Sequence, residues 1–222
     1  MSLEIEVKFY LDPSLLSRGE ILDRIEVLGG RSDGRIFERN IRFEDKANSL
    51  LERNALLRLR KDRRARLTFK SEVPGISAQD RERFKIFEEL EIEVSDFAVT
   101  TQILEALGFH PVQIYEKWRE TFVMGECLIC MDTLPFGEFL EIEGKRETIP
   151  GLADRIGLDW DRRILETYLG IFAQLRTALE LPFSDVTFDQ FRGFSGGTTP
   201  EDLSVHIRRF ESSRQRPEHL TS

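Results

Sequence analysis

Glu4-Ile5-Glu6-Val7-Lys8-Phe9, almost at the start of the chain, alternates three charged side chains with three large apolar ones. A β-strand sends successive side chains to opposite faces, so this stretch has one charged face and one apolar face. The same pattern recurs in Leu57-Arg58-Leu59-Arg60, Leu67-Thr68-Phe69-Lys70, Glu89 to Val94, Lys117-Trp118-Arg119, Leu140-Glu141-Ile142-Glu143 and, most weakly, Leu128 to Asp132. One such strand is a solvated edge. A series of them describes a sheet with a deliberately charged face.

The signs are segregated by strand. Acids dominate the stretches at Glu4, Glu89 and Glu141, and bases those at Arg58, Lys70 and Lys117. An ordinary solvated face mixes charges and sets opposite signs across from each other. Aligned acids repel one another unless a cation sits between them, and crowded arginines and lysines need an anion. A site for a metal ion plus a polyanion satisfies both.

The chain has 222 residues, 40% hydrophobic and 32% charged, enough for one globular domain with a sizeable core and an appended tail. The 32 basic and 40 acidic residues give a formal charge of −8, which argues against nucleic acid as a partner. No apolar run approaches the roughly 20 residues needed to cross a bilayer. The N-terminus opens directly into a charged strand, so no membrane association and a cytoplasmic location are expected. Cys127 and Cys130 form a CxxC, yet an offset of three on a strand puts them on opposite faces. With no second pair they read as ordinary strand residues.

Along the chain, strands are predicted near 3–11, 36–45, 55–62, 65–72, 85–94, 112–124, 126–133 and 138–143. Helical periodicity is predicted over 14–28, 96–107 and 164–180. Eight mostly hairpin-linked strands suit closure into a barrel with a small-ligand interior. The predicted fold is therefore α+β and mainly β: a closed eight-stranded antiparallel barrel with helices packed on the outside. Charges then point inward, with Glu4, Glu6, Glu89, Glu91, Glu93, Glu141 and Glu143 facing Lys8, Arg58, Arg60, Lys70, Lys117 and Arg119. Buried charge at that density requires pairing or ligation.

At these residues the sequence resembles the CYTH superfamily, the triphosphate tunnel metalloenzymes, which includes class IV adenylyl cyclases, thiamine triphosphatases and inorganic triphosphatases. Glu4-x-Glu6-x-Lys8 is similar to the family's ExExK signature, and the later stretches, with Asp132 ahead of Phe136-Gly137-Glu138-Phe139, follow in the family's order. The resemblance covers roughly residues 3–172. It implies an eight-stranded tunnel in which Lys8, Arg58, Arg60, Lys70, Lys117 and Arg119 bind the triphosphate. It further implies that Glu4, Glu6, Glu141 and Glu143 hold one or two divalent ions, Mg²⁺ or Mn²⁺. Glu4, Glu6, Glu91 and Glu143 are the expected catalytic acids, Glu91 as a positioning acid.

The activity expected from the resemblance is metal-dependent hydrolysis of the terminal phosphate of inorganic triphosphate or of a small organic triphosphate such as thiamine triphosphate. A class IV adenylyl cyclase, making cyclic AMP and pyrophosphate from ATP, is the alternative; its branch typically carries an aromatic-containing lead before ExExK, absent from Met1-Ser2-Leu3. A non-catalytic triphosphate or polyphosphate binder is the third.

The chain departs from the family at Glu166, where a lysine is frequent, while Tyr168 is kept. Arg39 and Arg42 fall on opposite faces of one strand, so at most one of them reaches the tunnel. At least two of Glu89, Glu91 and Glu93 are expected to face it. Arg83 and Lys85 are expected at the surface, Trp118 and Phe122 outside the barrel beneath a helix, and His110, His206 and His219 in no ligand role. Residues 1–181 form the expected tunnel domain. Residues 182–222 form an extension, with Phe183, Phe188, Phe191 and Phe194 followed by a loop, a short helix from Thr199-Pro200 to about Phe210 and a loose end. That extension is expected on the barrel exterior or on a second subunit of a homodimer, with a lid over one tunnel mouth as a further role.

Overall fold

The computed structural model describes residues 2–12, 14–193 and 199–211. Its elements run β1 (Ser2–Tyr10), α1 (Arg18–Val27), β2 (Arg31–Glu44), α2 (Ser49–Glu52), β3 (Leu56–Lys61), β4 (Ala65–Glu72), α3 (Ala78–Arg81), β5 (Lys85–Val94), α4 (Phe97–Ala106) and β6 (His110–Met124). There follow β7 (Cys127–Leu134), β8 (Gly137–Glu143), α5 (Ile149–Ile156), β9 (Arg163–Ile164), α6 (Tyr168–Ala178), α7 (Phe188–Gly193) and α8 (Pro200–Ile207). The strands pair in the order β5-β4-β3-β2-β6-β7-β8-β1, and β1 pairs back onto β5. This is the closed eight-stranded antiparallel barrel that the alternation predicts.

The ninth strand was not anticipated, and it matters to the interior. β5 runs beside β1 only from Ser2 to Glu6; along Lys8 and Phe9 its place is taken by β9. The chain leaving β9 therefore starts at the barrel wall, and Leu165 to Gly170 line the interior.

The apolar core lies outside the barrel. Val7, Phe9, Ile129, Met131, Leu140 and Ile142 point outward and are covered by Ile21 and Ile25 of α1 and by Ile149, Leu152, Ala153 and Ile156 of α5. The α5 spacing of 149, 152, 153 and 156 is helical, although no helix was predicted there. α1 is shorter than the predicted 14–28 because Ser17 and Glu20 form a capping box, while Asp12 holds Ser14 in the preceding turn. Asp96 caps α4, which lays Leu104 over Leu57 and Leu59 of β3. Phe122 packs in the cluster under α1, as expected. Trp118, expected beneath a helix, is 38% exposed and rests against Phe37, ring centroids 5.2 Å apart.

The predicted helix at 164–180 begins only at Tyr168, capped by Thr167, because residues 163–164 are used as β9. Its body packs on the exterior through Ile171, Phe172 and Leu175. Its first turn turns inward instead.

The extension continues along the barrel. Val186 bonds to Ile114 and Glu116 on the edge of β6 that β7 leaves free, Phe183 and Phe191 join Phe136 and Phe172, and Ser204 meets the Tyr10 hydroxyl at 2.5 Å. α8 starts at Thr199-Pro200 as predicted and a 3₁₀ turn ends at Phe210. Phe194, His219, most of the predicted loop and the C-terminal end lie outside the described residues. No helix among the described residues is long and apolar enough to cross a membrane.

Candidate functional site

The barrel encloses a cavity of about 1480 Å³, lined by Glu4, Glu6, Lys8, Arg58, Arg60, Lys70, Glu91, Lys117, Arg119, Glu141 and Glu143. Every site residue predicted from the sequence thus faces one interior. Glu89 lines it too, while Glu93 lies at the surface, paired with Arg64 at 2.9 Å. Cys130 faces the cavity, and Cys127 packs outside in the apolar core.

One part of the lining is closely compensated. Asp132, fully buried, accepts from Lys117 Nζ at 3.0 Å, from Arg119 Nε at 2.7 Å and from the Tyr168 hydroxyl at 2.9 Å. Glu141 is paired with Lys8 at 3.1 Å and with Arg119. Burial pushes the Glu141 carboxyl up, but Lys8, Arg119 and Lys117 outweigh it and hold it well below the usual range. The Tyr168 ring lies 4.1 Å from Lys8 Nζ and 5.3 Å from Lys117 Nζ, a cation–π contact that brings the first turn of α6 into the site. Glu166 contributes its backbone carbonyl, which accepts from Lys8 Nζ at 3.1 Å, while its carboxylate turns away to Thr167.

A second part carries the arginines. Arg58 and Arg60 flank Glu91, at 3.8 and 3.4 Å, and Thr68 donates to the same carboxylate at 2.8 Å. Glu91 therefore holds two of the cations expected to bind phosphate. Glu38, only 4% exposed, lies 3.5 Å from Arg60 and 3.7 Å from Lys117. Burial raises its carboxyl, yet Lys117, Arg119, Arg60 and Arg58 bring it down to about 2.

The third part is acid-rich. Glu6 on β1 stands directly opposite Glu143 on β8, and Glu4 follows on the same face of β1. Lys70 donates to Glu4 at 2.6 Å and pairs with Glu89 at 2.8 Å; Lys85 pairs with Glu6 at 2.6 Å. Burial, then Glu6, pushes Glu4 up, and burial, then Glu4 and Glu6, pushes Glu143 up to about 7. Glu6 is raised by burial and Glu141, but Lys85, Lys8 and Lys70 bring it below its usual value.

The donor chemistry of Glu4, Glu6 and Glu143 fits a hard divalent cation, because hard oxygen donors crowd where positive charge is short. Glu141 fits less well, since two cations already hold it. Among the described residues no three such groups converge as a ready-made cage.

Lys85, expected at the surface, belongs to this interior. The alternation itself carried the signal: Lys85 shares a face with Glu89 and Glu91. Glu38 was also missed: the inward face of β2 runs Glu38, Asn40, Arg42 against outward Phe37, Ile41 and Phe43, an alternation interrupted by outward Arg39. Between the two arginines left open, Arg42 lines the cavity and Arg39 pairs outside with Glu116.

The model of the CYTH domain matches residues 2–158. No curated protein matches the chain. Among solved structures, the PH1012 protein of Pyrococcus horikoshii is 25% identical, with TM-score 0.59 over 74% of this chain and 96% of its own. A Vibrio parahaemolyticus protein described as a candidate adenylate cyclase is 18% identical, TM-score 0.65, over 78% of this chain and 98% of its own. A Hippeastrum protein described as a candidate adenylyl cyclase with a dominant triphosphatase activity is 18% identical, TM-score 0.54, over 80% and 96%. The last two show a shared fold.

Proposed function

Since the chain belongs to the CYTH domain family, we propose that it binds a triphosphate in its tunnel and hydrolyses the terminal phosphate. The substrate is inorganic triphosphate or a small organic triphosphate such as thiamine triphosphate. The observation that carries this reading is the enclosure of Lys8, Arg58, Arg60, Lys70, Lys117 and Arg119 with Glu4, Glu6 and Glu143 around one cavity.

Lys117 and Arg119 are pinned by Asp132 and so act as preorganised donors, which need little rearrangement when a phosphate arrives. Arg58 and Arg60 present forks suited to two oxygens each, and Glu91 keeps them apart and aimed. Lys70 exchanges Glu4 for a phosphate oxygen, which frees that carboxylate. Glu4, Glu6 and Glu143 would then hold the divalent ion, Mg²⁺ or Mn²⁺, which when bound offsets charge on the phosphates and acidifies water. The residues together keep the phosphate chain extended, so that water attacks the terminal phosphorus in line with the bridging P–O bond that breaks; the diphosphate end departs with the bridging oxygen and orthophosphate is formed.

A product assay on purified protein tests this. Inorganic triphosphate, thiamine triphosphate and ATP are presented under Mg²⁺ and then Mn²⁺, with orthophosphate, pyrophosphate and cyclic AMP read together. Orthophosphate release is expected. Cyclic AMP with pyrophosphate from ATP would assign the cyclase reaction instead, and tight binding without any product would leave a binding protein.

A further inference from the structure

Arg42 departs from the charge pairing of the rest of the tunnel. Each of the other buried or half-buried basic side chains lining the cavity has a carboxylate partner: Lys8 has Glu141, Lys70 has Glu4, Lys85 has Glu6, and Arg60 has Glu38 and Glu91. Arg42 is half-buried and lines the cavity, has no carboxylate at ion-pair distance among the described residues, and its buried Nε lacks a hydrogen-bond partner.

Register explains where it sits. Arg42 stands directly opposite Arg58 on β3 and opposite Gln113 on β6, with a register shift between Arg42 and Phe43 that re-aims the strand. Like charges directly across a sheet destabilise it unless something lies between them. Arg58 itself has a 3.8 Å contact with Glu91. Asn40 faces Arg60, so Arg42 lies one step beyond it toward the rim. There Gln113 Nε2 donates to the Ser184 carbonyl at 2.7 Å, and Ser184 itself lines the cavity. The chain after α6 thus builds this rim and fixes the amide beside Arg42.

We infer that Arg42, next to Arg58 at the edge of the six cations, adds one further phosphoryl subsite, so that the tunnel takes linear phosphate chains longer than triphosphate. The inference rests on the proposed triphosphate reading of the same tunnel. The unpaired guanidinium supplies what one more phosphoryl group needs, a fork of donors facing the cavity with no competing acid.

Titration calorimetry without divalent ion, where no turnover competes, separates the two. Wild-type protein is expected to bind inorganic tetraphosphate about tenfold more tightly than triphosphate, the gain of one charge-assisted contact. In Arg42→Gln that preference disappears while triphosphate affinity stays within about twofold. Arg42→Lys keeps the charge without the fork and is expected to retain part of the preference, which guards against a misfolded Gln variant. Equal affinity of the wild type for both chains, or a preference that survives Arg42→Gln, overturns the subsite and leaves the triphosphate reading standing. Failure of triphosphate itself to bind the wild type overturns the parent reading and the subsite with it.

Discussion

Two regions of the same tunnel handle buried charge in opposite ways. Around Asp132 each charge has a close opposite partner: Lys117, Arg119 and Tyr168 converge on one carboxylate, and Lys8 and Arg119 on Glu141. Around Glu143 three carboxylates share one face, and burial together with Glu4 and Glu6 lifts Glu143 to about 7. A region already in electrostatic balance holds its cations in place before a ligand arrives. The unbalanced region pays for its charges only when a cation arrives, and there the chemistry is expected.

The sharpest way to break this contrast is Asp132→Ala. It strands Lys117, Arg119 and Tyr168 in the interior, and unfolding in urea is expected to show a loss of about 3–5 kcal/mol. Acid should attack the balanced side next. The Glu38 carboxyl is held down at about 2 from 4.5, so its contribution is present above pH 4.5 and lost as pH falls from there through 2. That contribution is of order 3 kcal/mol, and Glu38→Gln should flatten the acid limb of a stability-versus-pH curve.

On the unbalanced side the expected signs invert. Glu143→Gln removes a strained charge, so stability is expected to hold or rise slightly while metal-dependent turnover falls at least about a hundredfold. Full activity in that variant would remove Glu143 from the metal set. Arg58→Ala should raise the dissociation constant for triphosphate about tenfold, through loss of one charge-assisted contact. The smallest effect concerns Cys130, whose thiol burial pushes up to about 11; alkylation at pH 8 followed by mass spectrometry should leave it unmodified in the folded protein.

Much of the barrel was legible because alternation is a local property. Glu4-Ile-Glu6-Val-Lys8 states which side chains face inward without reference to any other strand, and closure followed from the count of eight mostly hairpin-linked strands. What escaped depended on partners distant in sequence. Lys85 shares a face with Glu89 and Glu91, but its role needed β5 to meet Glu6 across 79 residues, and Glu38 gained meaning only beside Lys117 and Arg60. Tyr168 was kept as a family feature, but its place under Lys8 required β9 to displace β5 along β1. Two residues of strand carry too little pattern to announce that substitution.

The pairing of β1 also bears on how the molecule is made. This strand precedes every other strand described, yet its neighbours are β5, β8 and β9, between 79 and 156 residues downstream. Lys70 and Lys85 follow early enough to meet Glu4 and Glu6, but Lys8 must wait for Glu141 and β9 until nearly three-quarters of the polypeptide exists. Loop-closure entropy over such separations makes docking of that first strand a late and slow event. The earliest of these strands is therefore the last stave fitted to the cask.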